Sequence, residues 1–385
     1  MSLTEDAPRD QRHIRQRPPR FHTLAVSAIR PEGADAVSVA FVIPEALRDA
    51  YAFTPGQYLT LDAEIGGERI RRAYSICSAP SICSAPGEAE IRIGVRRVAG
   101  GAMSEWINTT LRPGDQISVM TPTGRFGRIA PATGPRLHAA FAAGSGITPV
   151  LSIVTAILAD EPHSRVFLFY GNRGGAGIMF HETLAALKDR HRDRFALWHV
   201  LSREEQDIPL LTGRLDAAKA ERLLRTAIGA VPDHLFICGP EGMIADVETA
   251  AGRVGVPQDA IHVERFVSAL DGVPRPSARH PPVPHPPAQD EADAMPVEIV
   301  LDGNRRRIAV PPGLTIIDAA RAAGIDLPHA CKGGMCSTCR ARVVGGRVEM
   351  ALNYALTAAE LAAGFVLTCQ SRPVEPGTIL DYDAM

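Results

Sequence analysis

Four cysteines near the end of the chain carry the plainest chemistry. Cys331, Cys336 and Cys339 stand in a C-x4-C-x2-C run, and Cys369 follows thirty positions after Cys339. This spacing suits a [2Fe–2S] cluster, in which each iron takes two thiolates and the sulfides need nearby backbone N–H groups. Gly333 and Gly334 let the main chain wrap closely, because glycine reaches φ > 0 and has no Cβ to hold it off. A zinc site would add a second pair of ligands to the C-x2-C, which is missing here. A disulfide framework belongs to secreted chains. A cluster moves one electron at a time, so other residues must show where the electron comes from.

Two more groups of residues answer that. Arg72-Ala73-Tyr74-Ser75 closes a strand. Arg72 suits a phosphate, Tyr74 can lie flat on an aromatic cofactor, and Ser75 can hydrogen-bond a ring nitrogen. Gly100-Gly101-Ala102-Met103-Ser104 then leads into a short helix, a natural pyrophosphate seat formed by Gly101, Met103 and Ser104. In this order the two motifs indicate a flavin. Further on, Gly144-Ser145-Gly146-Ile147-Thr148-Pro149 follows a strand and opens a helix. Proline replaces the third glycine of the dinucleotide fingerprint, and Pro149 sits at a tolerated first-turn position, yet Gly144, Gly146 and Thr148 still leave N–H groups bare for a pyrophosphate. Ser202-Arg203 ends another strand where an adenosine ribose would lie. A hydroxyl and a guanidinium there suit a 2′-phosphate, hence NADPH rather than NADH. Cys238-Gly239-Pro240 ends a third strand, and Cys238 reads equally as a buried core thiol and as a site residue.

The elements that must position these groups follow from periodicity. Residues 21–132 read as six short strands, with a helix over Ser104–Leu111, hence an antiparallel six-stranded β-barrel. Residues 133–266 alternate strands and helices, an α/β parallel-sheet nucleotide domain with ligands at the carboxyl ends of the strands. Residues 267–295 are a proline-rich linker. Residues 296–385 form the α+β cluster domain, with a hairpin at Asp302-Gly303, a helix over Ile316–Ala323 and a second hairpin from Arg340–Val344 and Val348–Met350. Residues 1–20 read as a disordered tail. A hexapeptide, Ser75–Pro80, is repeated at once as Ser81–Pro86. Only the first copy follows Arg72 and Tyr74, so the second reads as a loop insertion.

Composition narrows the functional classes. A formal net charge of −2 over 385 residues argues against a nucleic-acid binder. No apolar run approaches the roughly 18–20 residues of a membrane helix. The first twenty residues hold no apolar export signal, and most of the seven cysteines fall in one cluster pattern, which together indicate a cytoplasmic protein. The cluster domain carries nine acidic and nine basic residues, so its docking is weakly charge-steered.

Nicotinamide gives up two electrons as hydride, whereas the cluster accepts one. A flavin converts between them, so three such sites in one chain have a coherent purpose. Taken together, Arg72-x-Tyr74-Ser75, Gly144 to Pro149, Cys238-Gly239-Pro240 and the C-terminal cysteines resemble a ferredoxin–NADP reductase module fused to a plant-type ferredoxin, whose cluster domain is a β-grasp fold. Whole phrases, among them Gly56-Gln57-Tyr58-Leu59-Thr60-Leu61, Tyr170-Gly171-Asn172-Arg173 and Gly364 to Ser371, are similar to the reductase subunits of ring 1,2-phenylacetyl-CoA epoxidases. The resemblance implies FAD on the barrel, NADPH on the α/β domain, and electron delivery to the oxygenase subunits of a multicomponent di-iron monooxygenase, with no nucleic-acid or membrane partner. It also implies that Glu264 and Phe266 lie against flavin and nicotinamide, beside Tyr74, Ser75 and Cys238. The reductase of a Rieske dioxygenase or a soluble hydroxylase shares every motif.

Overall fold

The computed structural model describes residues 19–80, 89–130, 132–266 and 294–384. Alternating apolar residues first build β1 (Phe21–Pro31), β2 (Ala36–Ile43), β3 (Tyr58–Ile65), β4 (Glu68–Ser75), β5 (Ala89–Arg96) and β6 (Gln116–Met120), with helix α1 (Ala102–Thr109) before β6. They form one curled antiparallel sheet, ordered β4-β3-β6-β1-β2-β5. Its edges meet at a bridge between Ile76 and Ile93, which closes the expected barrel. Inward-facing Leu24, Val39, Phe41, Leu59, Leu61, Ile91 and Ile93 fill it, as the two-residue period of a strand requires.

The next unit contains β7 (Leu137–Ala143), α2 (Ile147–Asp160), β8 (Arg165–Asn172), α3 (His181–Arg190), β9 (Phe195–Leu201), α4 (Ala217–Leu223), β10 (His234–Gly239), α5 (Glu241–Val254) and β11 (Ile261–Arg265). The strands are parallel in the order β11-β10-β7-β8-β9. Separate apolar cores cover the two faces, which is why β7 and β10 are continuous apolar runs. Helix α4 stops at Leu223, and a single wider turn runs from Leu224 to Ile228 before Gly229, at φ 74°.

The third unit holds β12 (Met295–Leu301), β13 (Asn304–Val310), α6 (Ile316–Ala322), β14 (Arg340–Gly345), β15 (Val348–Met350), α7 (Ala358–Ala362), β16 (Phe365–Leu367), β17 (Ser371–Pro373) and β18 (Thr378–Asp381). Its sheet order is β13-β12-β18-β14-β16, with β15 and β17 forming a separate pair. The first hairpin turns at Asp302 and Gly303, at φ 51° and 72°, as expected. The second expected hairpin does not form. β14 lies between β18 and β16, and β15 leaves to join β17. Between β14 and β15, Gly346 packs close on β18. A Cβ there would come within 2.6 Å of Thr378 Cα, so the chain passes tight against β18.

The expected tail and linker lie outside the described residues except at their edges, and the second hexapeptide lies wholly outside them. At those edges the expected boundaries shift. Arg20 donates its main-chain N–H to Thr121 Oγ1 at 3.2 Å and its guanidinium to Asp302 at 2.7 Å. Met295 already belongs to β12. Among the described residues no helix is long and apolar enough to cross a membrane.

Candidate functional site

The fold gathers Cys331, Cys336, Cys339 and Cys369 as free thiols in two pairs, Cys331 with Cys336 and Cys339 with Cys369. Among the described residues no three side chains are grouped to hold a single metal ion. Two pairs are what a two-iron cluster takes, two thiolates to each iron. Within each pair the contact lowers one thiol, Cys336 to about 6 and Cys369 also below its usual range, and raises its partner, Cys331 or Cys339. N–H groups already point at sulfur: Gly333 to Cys331 at 3.3 Å and Cys331 to Cys336 at 3.4 Å. The donor types and their pairing fit a [2Fe–2S] cluster.

The loop achieves this differently from the sequence expectation. Only Gly334 of the two glycines has positive φ, 75°, while Lys332 and Ser337 adopt φ 52° and 48°. Left-handed backbone at non-glycine residues costs about 1–2 kcal/mol each, and tertiary bonds hold it. Lys332 Nζ reaches Asp318 at 2.7 Å, and Gln370 Nε2 donates to the Lys332 carbonyl at 2.8 Å.

The cluster loop packs on the flavin strand. Ala330, Cys331 and Cys336 form an apolar cluster with Tyr58 of β3 and Ala73 of β4. The Tyr58 hydroxyl donates to the Cys336 carbonyl and shares a hydrogen bond with Thr338 Oγ1 at 3.0 Å. Beside it, Arg71 is buried and bonds Asp62 of the barrel and Asp326 of the cluster domain. On a second front Arg125 meets Glu360 at 2.6 Å.

Around the expected flavin segment, Ser75 is buried at the end of β4, Arg72 is exposed, and Tyr74 packs partly on the barrel core. Gly101 caps α1. The Ser104 hydroxyl is engaged there, donating to the Gly101 carbonyl at 3.0 Å and accepting from Val98 N–H at 3.2 Å. Met103 is buried in the barrel core. Both were expected as cofactor contacts, and with these side chains occupied only their main chains remain for a pyrophosphate. The first hexapeptide copy is integral to the fold: the Ser78 carbonyl accepts from Ser152 of α2 at 2.7 Å.

At the carboxyl ends of the parallel strands, Gly144, Gly146, Thr148 and Pro149 form the β7–α2 junction as expected. A Cβ on Gly146 would overlap the Cys238 carbonyl oxygen, so a hydrogen is required there. At Gly239 the constraint is milder, a Cβ meeting the flexible end of Met243, Cε, at 2.6 Å and Ala143 Cβ at 3.1 Å, and Pro240 caps α5. Cys238 is fully buried, and burial, reinforced by Glu264, raises its thiol well above the ordinary range. The Cys238 thiol is therefore neutral, as either reading of it allows. Glu264 is its register partner on β11, and Phe266 packs on the same core. Glu264 Oε2 is sealed without a hydrogen-bond partner, and burial pushes its carboxyl up to about 8. Ser202 and Arg203 lie at the end of β9, away from this group.

Four contributors were missed. Arg173 is exposed beside Arg203, whose N–H donates to the Arg173 carbonyl at 2.9 Å. Arg96 reaches from the barrel to the Gly177 carbonyl at 2.7 Å, and its Nη1 lies 2.8 Å from where a Gly144 Cβ would be. Gly94 abuts Thr148, with 2.5 Å between a Cβ there and Thr148 Cγ2. Tyr58 bridges barrel and cluster loop. Arg96, Gly94 and Tyr58 act across units and Arg173 across strands, so no local spacing marks them; only the bareness of a strand glycine at Gly94 was a readable sign.

Comparison with known proteins matches these units one by one. Residues 26–127 fit an oxidoreductase FAD-binding domain, 141–249 an oxidoreductase NAD-binding domain, and 299–374 a 2Fe-2S iron-sulfur cluster binding domain. The fold and site thus define an electron-transfer oxidoreductase that joins a flavin and nicotinamide module to a ferredoxin. One component of the 1,2-phenylacetyl-CoA epoxidase of Escherichia coli (strain K12) is 40% identical over 94% of this chain and 98% of its own length, and the chain belongs to that family of epoxidase reductases. The ferredoxin reductase component of 3-ketosteroid-9-alpha-monooxygenase from Rhodococcus rhodochrous is 35% identical over 91% of this chain and 94% of its own. Phthalate dioxygenase reductase shares the fold, with a TM-score of 0.54, 20% identity, and coverage of 94% and 98%. The expected cofactors, FAD, NADPH and a [2Fe–2S] cluster, each have their domain.

Proposed function

We propose that this chain carries electrons from NADPH through FAD and a [2Fe–2S] cluster to the oxygenase of a multicomponent di-iron system, the epoxidation of phenylacetyl-CoA. The observation that carries the reading is the packing of the cluster loop on Ala73, in the middle of the flavin segment. It sets two of the cluster cysteines against the strand that carries Arg72, Tyr74 and Ser75. When bound, the flavin turns a two-electron hydride into single-electron transfers, which neither neighbour can do.

The chain's own residues bind, align and shield. Arg72, Tyr74 and Ser75 hold the flavin, and the main chain from Gly101 to Ser104 seats its pyrophosphate at the start of α1. Gly144, Gly146, Thr148 and Pro149 seat the nicotinamide nucleotide, next to Gly239 and Pro240. Arg203 and Ser202, joined by Arg173, receive the 2′-phosphate. Phe266 and the protonated Glu264 border the nicotinamide end and keep water from it. Six free described cysteines fit a reducing, cytoplasmic setting.

An anaerobic NADPH titration followed by absorbance tests the relay: flavin should bleach and the cluster bands should follow. Turnover reconstituted with the oxygenase subunits of a phenylacetyl-CoA epoxidase tests the partner. A chain that drives a ketosteroid monooxygenase equally well would instead favour the reductase of another oxygenase, to which the 35% identical relative points.

A further inference from the structure

Tyr58 opens β3, and its register partner across the strand pair is Ser75, the last residue of the flavin segment. Its main chain is fixed by Thr123, N–H to carbonyl at 2.8 Å in one direction and 3.1 Å in the other. Gly124, at φ 109°, leaves room for the ring: a Cβ there would lie 3.0 Å from two ring carbons. The side chain is buried, at 5% exposure. Phenylalanine would fill the same apolar volume, so the hydroxyl needs its own explanation. A buried hydroxyl is retained where it is hydrogen-bonded, and this one spends its bonds on the Cys336 carbonyl and on Thr338. Cys336 is a cluster ligand, and Thr338 lies between two ligands. One side chain therefore runs from the residue opposite Ser75 to the peptide of a cluster cysteine.

We propose that Tyr58 is the positioning residue of the flavin-to-cluster electron step. Its hydroxyl fixes the cluster loop against the flavin strand, and it supplies a hydrogen-bonded link where Ala73 supplies only van der Waals contact. In each transfer the reduced flavin loses one electron and one cluster iron gains it. Tyr58 keeps its proton and is neither oxidised nor reduced. This inference rests on the relay from NADPH through FAD to the cluster, and the test separates the two.

The test is Tyr58→Phe in the full-length holoprotein, mixed anaerobically with NADPH in a stopped-flow spectrometer. Flavin bleaching by NADPH reports the relay itself; its absence in the parent protein would overturn that reading and this inference with it. Given normal bleaching, the cluster phase in Tyr58→Phe should slow about tenfold, the worth of about one well-made hydrogen bond. The EPR spectrum of the reduced cluster should shift, because the hydroxyl polarises the peptide beside a ligand. A cluster phase within about twofold of the parent overturns the proposal while leaving the relay standing. Equal slowing of both phases overturns it too, and so does an unshifted spectrum, which would assign the slowing to general loosening. Should Tyr58→Phe lose its cofactors, Thr338→Val removes the hydroxyl's second partner and must still slow the cluster phase selectively; no slowing there overturns the assignment.

Discussion

Arg71 and Asp326 meet through two hydrogen bonds, Nη1 to Oδ1 at 2.8 Å and Nη2 to Oδ2 at 2.6 Å, although 255 residues separate them in the chain. Arg71 also donates Nε to Asp62 at 2.8 Å, and Arg69 braces both carboxylates. A forked guanidinium thus ties the flavin barrel to the cluster domain. Arg71→Gln should loosen that seam while Asp62 keeps Arg69, at a cost of about 1–3 kcal/mol. Hydrogen exchange over residues 326–338 should accelerate, and flavin-to-cluster transfer should become more sensitive to salt. Unchanged exchange in that segment would show that the pair does not hold the domains together.

The glycine loop makes a sharper demand. Gly146→Ala would drive a methyl group into the Cys238 carbonyl, and neither main chain can yield cheaply in a packed sheet. Flavin and cluster content should be retained, while NADPH-driven flavin reduction falls by an order of magnitude or more. The check is cofactor stoichiometry beside single-turnover rates, and normal rates with NADPH would remove the loop from the nucleotide site.

Arg173 and Arg203 are adjacent at the ends of β8 and β9, joined through their main chains. Charge-assisted hydrogen bonds to a phosphate are worth about 1.5–3 kcal/mol. Arg203→Ala and Arg173→Ala should each lower kcat/KM for NADPH about tenfold or more and leave NADH nearly unchanged. Parallel losses with both cofactors would place these arginines outside the 2′-phosphate pocket.

Stability should depend on pH in two opposed windows. Burial, helped by neighbouring His234 and His181 respectively, lowers His262 and His199 to about 4, whereas in the unfolded chain both titrate near 6.5. The unfolded state then binds more protons between those values, so Tm should fall as pH drops from 6.5 toward 4. His262→Gln should reduce that slope. A slope unaltered by the substitution would contradict the assignment.

Glu264 works the other way. Its folded carboxyl holds a proton up to about 8, against 4.5 when unperturbed. The folded state is then the one richer in protons across that window, so its contribution to stability is greatest below 4.5 and is lost as pH rises toward 8. Glu264→Gln should therefore gain in Tm over the parent between pH 5 and 8. A constant difference across that range would mean that the carboxyl is already ionised.

The sequence by itself determined the three modules and their cofactors. Period-two and helical patterns specify the barrel strands and the parallel sheet because they report which face of each element is apolar. The C-x4-C-x2-C spacing names the cluster because ligand identity and local loop length set that chemistry. What only the tertiary structure decided lies between modules or across strands: the failed second hairpin, the neutral Cys238, the occupied Ser104 hydroxyl, and the contributions of Tyr58, Arg71, Arg96 and Arg173. Burial, register and charge pairing arise when distant segments meet, and residue spacing carries no record of that meeting. Tyr58 and Cys336, 278 positions apart, touch only because the barrel and the ferredoxin domain fold against each other.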